Sequence, residues 1–237
     1  MGREDRLAPR RLLANSAHVA GRILRLWGRE AEIVPPPVDT AFFTPLPGAP
    51  GPRHGLLVVS ALVPYKRVGD AVAAAALLGL PLTIAGKGPE EARLHRLAGR
   101  FVRFAPSPAD EELRDLYRSA EAVLMPGEED FGIVPVEALS CGTPVVALGR
   151  GGARETVSDG VTGVLYAEEG PEGLAAAVTR LRALSLDPAK AVASAGRFSR
   201  AAFRSRFLSA AAGALRRAGR TDSARALPPA TIPPDPE

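Results

Sequence analysis

Residues 127–146 read GEEDFGIVPVEALSCGTPVV. A short apolar run, AVLM at 122–125, precedes them, and PVVA at 144–147 closes them. Between the two runs lies a helical pattern from about 133 to 141. Strand, loop, helix and strand are thus compressed into some two dozen residues, the unit from which a parallel α/β sheet is wound. Gly132 lets the chain turn sharply, and Pro135 falls in the first helical turn, where a missing N–H costs nothing. The N–H groups of Gly132, Ile133 and Val134 then face outward at the positive helix end, which attracts phosphate. Two acids flank that start. Glu129 lies on the loop and Glu137 one turn inside the helix. A carboxylate is a poor phosphate ligand but a good acceptor for a vicinal diol. On spacing alone, Glu129 reads equally well as a solvated loop acid and Glu137 as a helix-surface residue.

Outward from this unit the pattern repeats. LLVVSA at 56–61, LTIA at 82–85, FVRF at 101–104 and TGVLY at 162–166 are further candidate strands. Helix patterns lie near 67–79, 89–99, 110–119 and 151–158. The expected fold is α/β, a Rossmann-like doubly wound parallel sheet with C-terminal helices. Right-handed crossovers place the loops after each strand along one edge, where such sheets bind ligands. Before this body, RLLANS at 11–16 reads as a strand leading to a cap at Asn15 or Ser16. A helix to about 28 and a strand AEIV at 31–34 follow. The proline run PPPVD at 35–39 and TPLPGAPGPRH at 44–54 make 35–54 a hinge or linker. Residues 55–217 form the main domain, including helices over 171–217 with a cap at Asp187 and Pro188. From 218 to 237 the chain is polar and proline-rich, and disorder is expected.

Composition narrows the classes. Of 237 residues, 46% are hydrophobic and only 5% aromatic, so the core is built from Ala, Leu and Val. One cysteine, Cys141, excludes an internal disulfide framework and reads as a small buried hydrophobe. The apolar runs fall well short of the roughly 20 residues needed to span a bilayer. The charged N-terminus, MGREDRLAPRR, lacks the apolar stretch of a secretory signal. The pI of about 9.7 comes with a net charge of only +4, its acids and bases interspersed. That describes a solvated surface better than a nucleic-acid face, and helix-turn-helix and zinc-finger spacings are absent. His18, His54 and His95 are scattered, so no metal site is expected. GKGPEE at 86–91 and GRGGAR at 149–154 lack the third glycine of a dinucleotide fingerprint.

EEDFGIVPVEALSCGTPVVALGRGGARETV resembles the E-x(7)-E signature of glycosyltransferase family 4, retaining enzymes of the GT-B fold. NSAHVAGRI at 15–23, VPPPVD at 34–39, VVSALVPYKRVGDAV at 58–72, AGKGPE at 85–90 and GVTGVLY at 160–166 match in the family's order. The resemblance spans roughly 11–215. It implies a nucleotide-sugar donor, GDP-mannose or a UDP-hexose, and no metal or other cofactor. It places Glu137 on the ribose hydroxyls, Glu129 beside the sugar ring, and the amides of Gly132, Ile133 and Val134 on the diphosphate. Lys66, with Arg67 assisting, would neutralise the leaving diphosphate. Ser60, Gly86, Gly88, Asp130 and Phe131 complete the implied donor site. Two departures stand out. Ala61 occupies the position where the family has an arginine, and Ala105-Pro106 replaces a Leu-Gly pair near the base.

A GT-B enzyme closes two such domains over a cleft. Residues 1–34 are too few for a domain and read as the end of an acceptor-binding one. The expected function is therefore hexosyl transfer to a glycan or lipid-linked acceptor, completed by an acceptor domain or partner chain. The alternative is a nucleotide-sugar-binding module without turnover. A cytoplasmic location follows from the resemblance, with peripheral membrane contact through the acceptor. Phe203, Phe207, Leu208 and Leu215 on the last helix would face the other domain.

Overall fold

The computed structural model describes residues 11–48 and 51–230. Its centre is a six-stranded parallel sheet: β3 (Leu56–Val59), β4 (Leu82–Ala85), β5 (Val102–Ala105), β6 (Ala122–Met125), β7 (Val145–Leu148) and β8 (Gly163–Tyr166). The order is β5-β4-β3-β6-β7-β8. The chain starts in the middle, winds to one edge, then crosses back and winds to the other. The order reverses between β3 and β6, which pair through Leu56 with Ala122 and Leu57 with Val123. A doubly wound sheet opens its ligand crevice at that reversal.

Alternation of side chains explains both cores. Leu56, Val58, Leu82, Ile84, Leu124 and Val146 face one way and pack on α2 (Val68–Leu78), α3 (Glu91–Leu97) and α7 (Pro171–Arg182). Leu57, Val123, Val145 and Ala147 face the other way. They meet α4 (Asp110–Ser119), α5 (Ile133–Ser140), α6 (Ala153–Thr156) and α8 (Pro188–Gly196). Because both faces are covered, the strands are continuous apolar runs, so their positions were readable to within two residues. Asp187 caps α8 as expected, accepting from the Ala189 N–H at 2.9 Å. Cys141 is fully buried, and burial pushes its thiol up to about 12.

A smaller unit precedes the sheet. β1 (Leu12–Ala14) and β2 (Ala31–Ile33) pair in parallel around α1 (Ala17–Trp27). Ser16 caps α1, accepting from the Val19 N–H. Glu155 of α6 accepts from the N–H groups of Ala17 and His18 at 2.8 and 3.0 Å. Two acids of the β6–α5 loop add contacts: Asp130 pairs with Arg22 at 2.9 Å, and Glu128 lies 3.4 Å from the His18 imidazole. The unit is thus docked on the crevice rim by polar contacts, and α1 buries no residue completely.

Two expectations need correction. The segment 35–54 is no loose linker where it is described. Val38 and Phe43 are buried, the Val38 N–H bonds the Phe198 carbonyl at 2.9 Å, and Arg118 bonds Thr44 and Pro45. Apolar side chains interleaved with the prolines fasten it to the sheet domain. The tail after 218 is not wholly disordered either. α10 (Thr221–Arg225) folds back on α9 (Arg200–Arg217), burying Ala224, while 231–237 lie outside the described residues. Phe203, Leu208 and Leu215 on α9 are half-buried, and Phe207 is exposed.

Candidate functional site

The loops after β3 and β6 meet at the reversal of strand order and enclose a cleft of about 370 Å³. One wall is Val58–Ala61 with Tyr65 and Lys66; the other is Leu124–Gly127 and Glu129–Val134. Asn15 of the small unit closes one side. Lys66 ends a single tight turn, Pro64–Lys66, and its ammonium bonds the Glu129 carboxylate across the cleft. Both side chains are largely shielded, 15% and 24% exposed, so this attraction is less screened than a surface pair.

The floor is the start of α5. Gly132 precedes the helix at φ +87°, a conformation that L side chains rarely adopt, and provides no side-chain cap. The first helical N–H groups have no intrahelical partner, so the amides at 132–134 remain available at the helix's positive end. Phe131 lies beside them but is itself buried, packed edge-on against Phe198 at 5.1 Å. It anchors the loop from below. Asp130 lines the cleft while paired with Arg22.

A second groove of about 330 Å³ continues from the first and shares Val59, Ser60, Ala61 and Val134 with it. Gly86 and Lys87 form its far wall, with Pro108 and Leu113 below. Gly86 sits so close to β3 that a Cβ would fall 1.9 Å from the Ser60 carbonyl oxygen. Gly88 is pressed against the Leu62 backbone and lines neither groove.

Two more expected donor residues, Arg67 and Glu137, also stand apart from the cleft. Arg67 bonds Asp70 at 2.8 Å and also Glu169, and it lines neither groove. Two carboxylates hold it, and it does not share the cleft with Lys66. Glu137 is half-buried one helical turn behind Val134, on the same helix face, and lines neither groove itself. Its Oε2 accepts from the Tyr117 hydroxyl at 2.7 Å.

Burial raises the Glu137 carboxyl above the usual carboxylate range; the Tyr117 bond pulls it back and Asp110 pushes it up. A carboxyl that holds its proton more tightly folded than unfolded stabilises the fold fully at low pH. That contribution is lost as pH rises through the raised folded value. Glu137→Gln is accordingly expected to melt a few degrees higher than wild type at pH 8, the gap closing toward pH 4. Melting curves across that range check it; a gap constant with pH would refute the assignment.

Sequence reading missed several of these residues. Lys87 follows β4 at the register position opposite Ala61, since Val59 pairs with Ala85 and the Leu62 N–H bonds the Lys87 carbonyl. The strand periods of β3 and β4 contained that signal. Asn15 carried none for the cleft, because it reaches the site only through packing.

The family profile described as "Glycosyl transferases group 1" matches residues 47–198. The chain belongs to this glycosyltransferase family. It is 34% identical over 209 residues to a D-inositol 3-phosphate glycosyltransferase of Thermomonospora curvata, covering 73% of this chain and 48% of that protein. The protein of the same name from Frankia alni is 36% identical over 202 residues, covering 72% and 50%. The chain thus spans about half the length of the curated relatives it matches. Among solved structures, Anabaena Alr3699/HepE in complex with UDP superimposes with a TM-score of 0.77 at 22% identity, covering 86% of this chain and 64% of that one. The same protein with UDP-glucose gives 0.75 at 22% identity over the same shares. These structural likenesses show that the two chains share one fold. Among the described residues, no helix is long and apolar enough to cross a membrane, and no acid, His or Cys group could hold a metal.

Proposed function

We propose that this glycosyltransferase domain is the donor-binding part of a retaining family 4 enzyme that transfers a hexose from a nucleoside diphosphate sugar. One observation carries the reading: Lys66, Glu129 and the uncapped start of α5 share one cleft at the reversal of strand order. Cleavage of the bond between the anomeric carbon and the diphosphate leaves negative charge on phosphate oxygens. Fixed amide donors and a shielded ammonium stabilise that charge as it develops. In the free protein Lys66 is paired with Glu129, so an entering diphosphate takes over the ammonium. Lys87, with no ion pair among the described residues, supplies a second cation on the adjoining wall, where Ala61 has none. The second groove suits the nucleoside, with Glu137 behind Val134 accepting the ribose hydroxyls.

Residues 11–34 fit the end of an acceptor-binding domain. Leu13, Leu24, Leu26, Trp27 and Ile33 of that unit are exposed, and a two-stranded parallel sheet has little stability uncovered. The acceptor, a glycan or lipid-linked hydroxyl, would meet the donor at that side, and a lipid-linked one would bring a cytoplasmic enzyme to the membrane face.

The test is a thermal-shift screen with UDP-glucose, UDP-galactose and GDP-mannose, because only ligands of the native state raise its midpoint. A rise with one of them and none with the free sugars supports the reading. No shift with any at millimolar concentration sinks it. Within the same reading, Glu137→Ala weakens nucleotide binding by about 1–3 kcal/mol, as charge-assisted hydrogen bonds to the ribose are lost. Calorimetry showing wild-type affinity would remove Glu137 from the ribose.

A further inference from the structure

Tyr117 is the largest fully buried side chain of the domain, and its hydroxyl is spent on one acceptor, Glu137 Oε2, at 2.7 Å. The tyrosine has little room to turn. Phe43 packs edge-on against its ring at 5.7 Å, and the Thr143 hydroxyl donates to its backbone carbonyl at 2.6 Å. Four residues earlier on α4, Leu113 lines the second groove; three residues before Glu137 on α5, Val134 lines it too. The Tyr117–Glu137 bond therefore lies one helical turn behind the groove floor, on the same faces of α4 and α5.

We propose that Tyr117 is a positioning residue for nucleotide binding: its phenol fixes Glu137 by one carboxyl oxygen and leaves the other to accept ligand hydroxyls. This rests on the reading of Glu137 as the ribose acceptor. A carboxylate has acceptor sites enough for both partners. Without the phenol, Glu137 keeps its burial but loses its orientation and a donor that favours its charged form. The groups acting on Glu137 are Tyr117 and Asp110 from α4, and Glu137 itself acts on the Cys141 thiol at the end of its own helix. Arg53, Arg114 and Arg118 act on the Cys141 thiol in the layer beneath. Burial and the adjacent carboxylate push the phenol well above its ordinary value, so it remains a proton donor throughout the working range.

The experiment is calorimetry of the full chain with UDP-glucose and GDP-mannose from pH 5 to 8, on wild type, Tyr117→Phe, Glu137→Gln and the double variant. Tyr117→Phe keeps the ring and its packing. Its affinity is expected to fall about tenfold, the loss of one hydrogen bond to a charged group. The deficit widens toward pH 5, where Glu137 without its donor protonates first. In the Glu137→Gln background the same change adds little, since the two act as a unit. Wild-type affinity in Tyr117→Phe at every pH overturns the inference, as does an equal loss in both backgrounds. Unchanged affinity in Glu137→Gln instead overturns the ribose reading. No binding by wild type overturns both. A melting midpoint is recorded for each variant, and a deficit independent of pH assigns Tyr117 to packing alone, against the proposal.

Discussion

Lys66→Ala is expected to lower transfer or donor hydrolysis by about 10²–10³-fold, the scale seen when one charge-stabilising group is removed from an active site. The same variant should bind UDP some 10- to 100-fold more weakly while uridine affinity barely changes, because only the diphosphate meets the ammonium. The basis is geometric. Lys66 lines the cleft, is only 15% exposed, and is held opposite the amide-lined start of α5 by Glu129. Arg67 lines neither groove and is held by Asp70 and Glu169, so it is not expected to take over the role. Removal of Lys66 also leaves Glu129 without its partner, and a lone carboxylate beside the proposed phosphate subsite would repel the ligand. Lys66→Arg separates the two effects, restoring the charge but not the reach. Comparable losses for UDP and uridine would take Lys66 away from the phosphates.

The second large effect concerns backbone approach. Gly127 follows β6 and lies against the Pro64–Lys66 turn. A Cβ there would fall 2.6 Å from the Tyr65 carbonyl oxygen and 2.8 Å from the Lys66 Cα, both backbone atoms that cannot swing aside. Gly127→Ala must therefore push apart the two loops that make the cleft. Overpacking of this kind costs about 1–3 kcal/mol in stability. Binding should suffer more than stability does, because Lys66 moves relative to the α5 amides. Denaturant unfolding and calorimetry on the same variant check both parts. A variant as stable as wild type, with full donor affinity, would show that the loops have slack.

Much of this was legible in the chain. Buried parallel strands are continuous apolar runs, so β4 and β6 were placed at their observed limits and the others within two residues. Caps are local chemistry, so Asp187 could be read directly and the first cap narrowed to Asn15 or Ser16, of which the structure has Ser16. The helix start at Gly132 was readable for the same reason, and Glu129 stood out beside it, while Lys66 entered only through the family resemblance. Where the segment 35–54 goes was not legible. Proline explains why it is extended, but only the fold shows Phe43 seated against Tyr117.

The succession of strands and helices through the sheet domain, and the helix start at Gly132, followed from the amino-acid sequence by itself, because periodicity and capping act over a few residues. Which charges meet did not. Lys66 and Glu129 lie 63 positions apart, Tyr117 and Glu137 20, and Arg67 and Glu169 102. Tertiary structure alone set Lys66 in the cleft, took Arg67 out of it and put a phenol on Glu137. Those pairings depend on how strand order and helix packing bring remote segments together, and no local pattern encodes that distance.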